Sequence, residues 1–185
     1  MSFAVNMRGA IALAALGVLG PAAVQAKVIS SGETGFLIEN SAVVPVDAAT
    51  AWKALVNDVG KWWPSDHTWF GRSEHLRIDA RAGGCFCEID GEQQVLHMTI
   101  GFVHPGHLLR MLGGLGPLQG MGMYGALDWK FDAAERGTRI TLRYQAGGYA
   151  PDLAKLVGVV DQVQAQQLNG LVRFLSERQA KEPAP

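Results

Sequence analysis

Residues 125–144, GALDWKFDAAERGTRITLRY, decide the fold. Leu127, Trp129 and Phe131 alternate with Ala126, Asp128 and Lys130, and Ile140, Leu142 and Tyr144 alternate with Arg139, Thr141 and Arg143. Successive side chains of a strand point to opposite faces, so a period of two marks a strand with one wet and one dry face. Asp132 to Gly137 supplies the turn between them. Two such strands in succession predict an antiparallel sheet with one face in water, whose apolar face something else must cover.

The cover follows in the chain. From about Asp152 to Arg178, the residues Leu153, Leu156, Val157, Val160, Val163, Leu168, Leu171, Val172 and Leu175 trace an apolar stripe at helical spacing. Gln164 and Gln167 interrupt it, which marks either a cavity or the edge of the buried face. Upstream, Leu76–Ile78, Cys85–Ile89, Val95–Val103 and Leu108–Leu112 read as further short strands between glycine and proline breaks. Phe36 to Val46 makes a first strand. Asp47 then sits as N-cap before a helix over Ala48–Val56, with Trp52, Leu55 and Val56 on one face. Asn57–Gly60 ends it, and Lys61-Trp62-Trp63-Pro64 opens an aromatic connection that runs past Trp69.

The amino-terminal segment reads differently. Arg8 precedes an apolar run from Gly9 to Gly20, Pro21 breaks it, and Val24-Gln25-Ala26 places small residues where a signal peptidase cuts. The run is shorter than the roughly 20 residues of a membrane span. Residues 1–26 are therefore expected to be a signal peptide, 27–35 a linker, 36–178 one domain and 179–185 a flexible tail. The mature chain would be periplasmic or secreted, without stable membrane insertion. Sixteen basic against seventeen acidic residues, with no basic cluster, exclude a nucleic-acid footprint.

Several short motifs then fall in a recognisable order: Val46-Asp47-Ala48-Ala49-Thr50-Ala51-Trp52, Trp62-Trp63, Gly83-Gly84-x-Phe86-x-Glu88 with Asp90-Gly91, His104-Pro105, and Gly137-Thr138-Arg139-Ile140-Thr141-Leu142 before the last helix. Over residues 36 to 177 the chain resembles the START/SRPBCC superfamily, in particular its polyketide-cyclase/lipid-transport branch and the homologues of the activator of the ninety-kilodalton heat-shock protein's ATPase. The resemblance implies an α+β helix-grip fold: six or seven antiparallel strands wrapped around a long C-terminal helix, with one or two short helices after the first strand and an apolar cavity between sheet and helix. The co-chaperone role conflicts with an export signal and is not carried over. A fold of this kind hosts binders, transfer proteins and enzymes alike.

The chemistry-bearing residues allow more than one reading. Cys85 and Cys87, the only two cysteines, are i and i+2 and share a face of their strand. A disulfide there needs the strand to buckle, and no spaced ligand set points to a metal. Burial preference would put the thiols inside, whereas the resemblance puts Phe86 and Glu88 inside. In the second case Glu88 is a carboxylate in an apolar cavity; otherwise it is a solvent-facing hairpin residue. His97 either lines the cavity or is a satisfied structural histidine. Met111 to Met123, rich in glycine, is either a lid or a plain flexible hairpin loop. The expected partner is a small apolar ligand, lipid- or polyketide-like, held by Trp69, Phe86, Met98 and Met111 together with Leu127, Trp129 and Tyr144, with Glu88 or His97 as polar anchor. No cofactor or metal is expected, and no protein partner can be named. The rival readings are a cyclase- or dehydratase-type enzyme using Glu88 and His97 for proton transfer, and an interaction module without a ligand.

Overall fold

The computed structural model describes residues 23–150 and 152–181. Eight antiparallel strands form one sheet in the order β1-β2-β8-β7-β6-β5-β4-β3. They are β1 (Gln25–Gly32), β2 (Gly35–Val44), β3 (Leu76–Ile78), β4 (Cys85–Asp90), β5 (Gln93–His104), β6 (Leu108–Leu112), β7 (Tyr124–Ala134) and β8 (Gly137–Gly147). Helices α1 (Ala48–Asn57) and α2 (Val59–Trp62) follow β2, a short α3 (Pro117–Gly120) lies between β6 and β7, and α4 (Leu153–Lys181) closes the chain. The helix-grip architecture expected from the sequence is present, with one strand more than anticipated.

Alternation produces this sheet as the sequence implies. Along β8, Thr138, Ile140, Leu142, Tyr144 and Ala146 are buried and their neighbours face outward. Trp129, paired with Leu142, and Phe131, paired with Ile140, extend the same dry face onto β7. Helix α4 lies against β1 and β2 and touches α1 and α2, and the Asn40 side-chain amide donates to Asp161 Oδ1 at 3.0 Å, joining β2 to α4. Asp47 caps α1 as predicted: its carboxylate accepts the Thr50 N–H at 2.7 Å. That bond holds the Asp47 carboxyl below its usual range.

Three expectations need amending. The segment 27–35, read as a linker, holds most of β1 and its turn into β2, and β1 begins two residues before the expected cleavage point. Of the expected signal peptide, residues 1–22 lie outside the described residues. Residues 179–181 of the expected tail continue α4.

Helix α4 crosses α2 at close range. A Cβ on Gly170 would collide with the Trp62 carbonyl oxygen, whereas a Cβ on the exposed Gly158 would meet open space. Alanine is favoured over glycine in a helix interior by about 1 kcal/mol. Gly158→Ala should therefore stabilise the protein by up to about that amount. Gly170→Ala should destabilise it by about 1–3 kcal/mol, because the helix must move off α2. Urea unfolding of both variants checks the pair, and equal effects at the two positions would contradict the packing described.

Candidate functional site

Glu88 is fully buried on the inner face of β4, two residues after the equally buried Phe86. Its solvent-facing alternative is thereby overturned. The side chain is satisfied by backbone: Oε2 accepts the Trp69 N–H at 2.8 Å and Oε1 accepts the Phe70 N–H at 2.7 Å. A buried carboxylate is tolerated only when such donors replace water. The connection between α2 and β3 is thus tied to the sheet by a side chain from β4. The same connection is held at its start by Trp63, whose indole N–H donates to the His67 carbonyl at 3.0 Å.

The next residue to reach Glu88 is His97, with Nε2 3.3 Å from Oε2. Its position depends on a β-bulge. Phe86 pairs with Met98 and Cys87 with Leu96, leaving His97 as the extra residue of β5. Ahead of the bulge Val95 and His97 face inward; directly after it Met98 and Ile100 do. As a result the consecutive residues His97 and Met98 are both buried. Bulges commonly re-aim a side chain in this way beside functional sites. The His97 ring lies 4.9 Å from the Phe86 ring, and Phe86 is 5.0 Å from Trp63, so an aromatic row supports it from behind. Burial lowers the His97 pKa below its ordinary value, with Glu88 opposing that shift.

The two cysteines lie on the other face of β4, as the resemblance implied, and not with the inward residues. They form a disulfide with a Cα–Cα distance of 5.5 Å, against the roughly 6.6 Å that two residues of an extended strand span. The register shift between Phe86 and Cys87 accompanies that shortening and is the buckle the sequence reading required.

In front of His97 lies a cavity of about 330 Å³. The connection contributes Trp63, His67, Thr68 and Trp69; α4 contributes Leu156, Val159, Val160 and Val163 with Gln164 and Gln167. The third wall is the glycine-rich segment, through Leu115, Gly116, Pro117 and Leu118. Tyr144 holds that wall in place. Its hydroxyl donates to the Gly113 carbonyl at 3.0 Å and accepts the Leu115 N–H at 3.1 Å, and burial pushes its pKa up to about 12. Gln119 adds a second tie by donating to the Leu96 carbonyl at 2.6 Å. Residues 115–118 of the Met111–Met123 segment thus form one wall of the cavity, tied down by Tyr144 and Gln119.

Among the residues named from sequence, Trp69, His97 and Tyr144 line the cavity, and Glu88 stands directly behind His97. Phe86, Met98, Met111, Leu127 and Trp129 fill the core instead, each about 1% exposed. Trp69 and Val159 are more than half exposed and sit at the mouth. The contributions of Leu115, Leu118, Val160 and Thr68 were not foreseen. Gln164 and Gln167, noted only as breaks in a stripe, are both 2% exposed and lie in the cavity wall. Their Oε1 atoms, His97 Nδ1 and His67 Nδ1 have no hydrogen-bond partner among the described residues. No group of His, Cys, Asp and Glu among the described residues is placed to hold a metal ion.

Native His97 resists a proton that the unfolded chain accepts near its ordinary pKa of 6.5. Its contribution to stability is therefore present above that pH and is lost as pH falls through the lowered native value. Thermal melts at about pH 7.5 and about pH 5.5 should show a larger loss for the wild type than for His97→Phe. An identical loss in both would contradict the burial described.

No family model matches the chain, and no curated protein matches it. Solved structures do. An uncharacterized protein from Rhizobium leguminosarum superposes with a TM-score of 0.56 at 18% identity, covering 83% of this chain and 98% of that one. An AHSA1-like protein from Aeromonas hydrophila gives 0.55 at 17% identity, with 80% and 97% covered. DynU16, from the dynemicin biosynthetic locus, gives 0.51 at 18% identity over 76% of this chain and 47% of that longer one. At these identities the likeness is one of fold, and the fold is the helix-grip architecture of AHSA1-like and SRPBCC proteins.

Proposed function

We propose that this protein binds a small, mostly apolar ligand in the cavity between the glycine-rich segment, the Trp63–Trp69 connection and α4. The observation that carries this reading is the wall itself. Leucine, valine, proline and tryptophan side chains enclose about 330 Å³, with a few buried polar side chains among them. Ligand sites of about 300–1,000 Å³ are built in this way, apolar for affinity and sparsely polar for orientation. The fold supports the same reading, since SRPBCC-like proteins typically enclose hydrophobic ligands.

A second reading rests on the Glu88–His97 pair. A carboxylate beside an imidazole in a cavity wall is a pair of the kind used for general acid–base catalysis, and such a site could process what it holds in the manner of a cyclase or dehydratase. We also place the protein in the periplasm or outside the cell. The Cys85–Cys87 disulfide supports this, because such bonds persist in oxidising compartments. Among the described residues no helix is long and apolar enough to cross a membrane.

The binding reading is tested with N-phenylnaphthylamine, a neutral probe that fluoresces on leaving water. Purified protein should bind it saturably at one site. Val160→Trp, which puts an indole into the cavity from α4, should weaken binding by about tenfold or more while far-UV circular dichroism stays unchanged. Absence of uptake by the wild type, or equal uptake by a folded Val160→Trp, would overturn the assignment.

A further inference from the structure

Resting on that reading of the cavity, we infer that the ligand is a neutral molecule carrying a hydrogen-bond donor, a hydroxyl or N–H group, which it places on His97 Nδ1. Glu88 sets the polarity of the ring. Its two oxygens accept the Trp69 and Phe70 amides, and one of them faces His97 Nε2 at 3.3 Å. An acceptor at that place requires the histidine to carry its proton on Nε2. A neutral imidazole with Nε2–H has a bare lone pair on Nδ1. That atom is buried, on a residue 5% exposed in the cavity wall, and has no partner among the described residues.

Two other unpartnered atoms of the wall have the same polarity. Gln164 Oε1 and Gln167 Oε1 are acceptors on side chains 2% exposed. An unmet buried polar atom is costly, so a ligand that meets these atoms gains more than its apolar surface provides. What they require is a donor. The glutamine amides, whose N–H groups lie on the same side chains, can turn to meet an acceptor on the ligand; His97 cannot, because Glu88 fixes its tautomer.

Charge narrows the class further. No lysine or arginine lines the cavity among the described residues, and its one carboxylate, Asp66, is exposed at the rim. A fatty acid or phosphate ester would bury an anion with no countercharge, close to Glu88. Burying an unpaired ion costs far more than one hydrogen bond returns. An ammonium would lose its hydration too, and the buried carboxylate of Glu88 stands behind His97 without lining the cavity. The chemistry that fits is an alcohol, phenol or amide N–H on an apolar body.

The test is competition against N-phenylnaphthylamine with three probes that share one alkyl chain: decanol, decyl methyl ether and decanoate at about pH 8, where the acid is ionised. Decanol should displace the dye at about threefold to tenfold lower concentration than the ether, the worth of one hydrogen bond. Decanoate should need at least about tenfold more than decanol. His97→Phe should bring the alcohol and the ether within about twofold of each other. Should that variant fail to fold, the side-chain nitrogen spectrum of the wild type provides the second measurement: the His97 Nδ1 resonance should shift when decanol is added and stay in place when the ether is added. Decanoate or ether matching decanol, an undiminished preference for alcohol in a folded His97→Phe variant, or an Nδ1 resonance that does not respond to bound decanol would overturn the inference while leaving ligand binding intact. A protein that takes up neither dye nor decanol overturns the binding reading, and this inference with it.

Discussion

One buried carboxylate organises the functional end of this molecule. Glu88 reaches from the inner face of β4 to two consecutive backbone amides and to the imidazole of His97. Hydrogen bonds to a charged group contribute about 1.5–3 kcal/mol each, and here they offset the cost of removing a carboxylate from water. The arrangement has three structural consequences. The Trp63–Trp69 connection becomes a wall, the imidazole is held in one tautomer, and Trp69 is left at the mouth. The bulge at His97 lets the ring and the adjacent Met98 face the same side of the sheet, so the carboxylate has its third neighbour and the core keeps its methionine.

The cavity exists because helix and sheet are brought together closely at one end and held apart at the other. Near the carboxyl-terminal half of α4, Gly170 lets the helix lie directly on the Trp62 backbone. Toward the amino-terminal half, glutamine and valine side chains face the glycine-rich segment in place of a second layer of core. That segment is built from residues with little intrinsic order. Gly116, at φ 59°, allows the chain to enter α3, and Tyr144 fixes both sides of the bend through its hydroxyl. The tyrosine is core on one side and scaffold on the other, which explains why it is fully buried although it carries a polar group.

How far the sequence reached can be followed residue by residue. The alternation at 127–131 and 140–144, the Asp47 cap and the stripe of α4 are local patterns tied to a period, and each led to its element. Strand β1 carries no such pattern: QAKVISSG is exposed along its whole length and gains its form by pairing with β2 and lying against α4. The inward turn of Phe86 and Glu88 came from family likeness, since composition alone argued for the thiols. Bulges were out of reach, because a register shift belongs to two strands at once. For that reason the Cys85–Cys87 bond looks difficult from the sequence. Phe86, Met98, Met111, Leu127 and Trp129 do face inward as their alternation implies, but an inward position alone does not separate a cavity wall from a packed core. Gln164 and Gln167 did signal the site, as polar breaks in an apolar stripe, but only burial separates a cavity wall from an edge.

The account turns on the state of a single ring, so the decisive measurement is the proton–nitrogen correlation spectrum of the histidine side chains in the folded protein near neutral pH. His97 should show the pattern of a neutral ring protonated on Nε2, with Nδ1 as a bare acceptor. A ring protonated on Nδ1, or an imidazolium at that pH, would mean that Glu88 does not set its polarity, and the account of the site would fail.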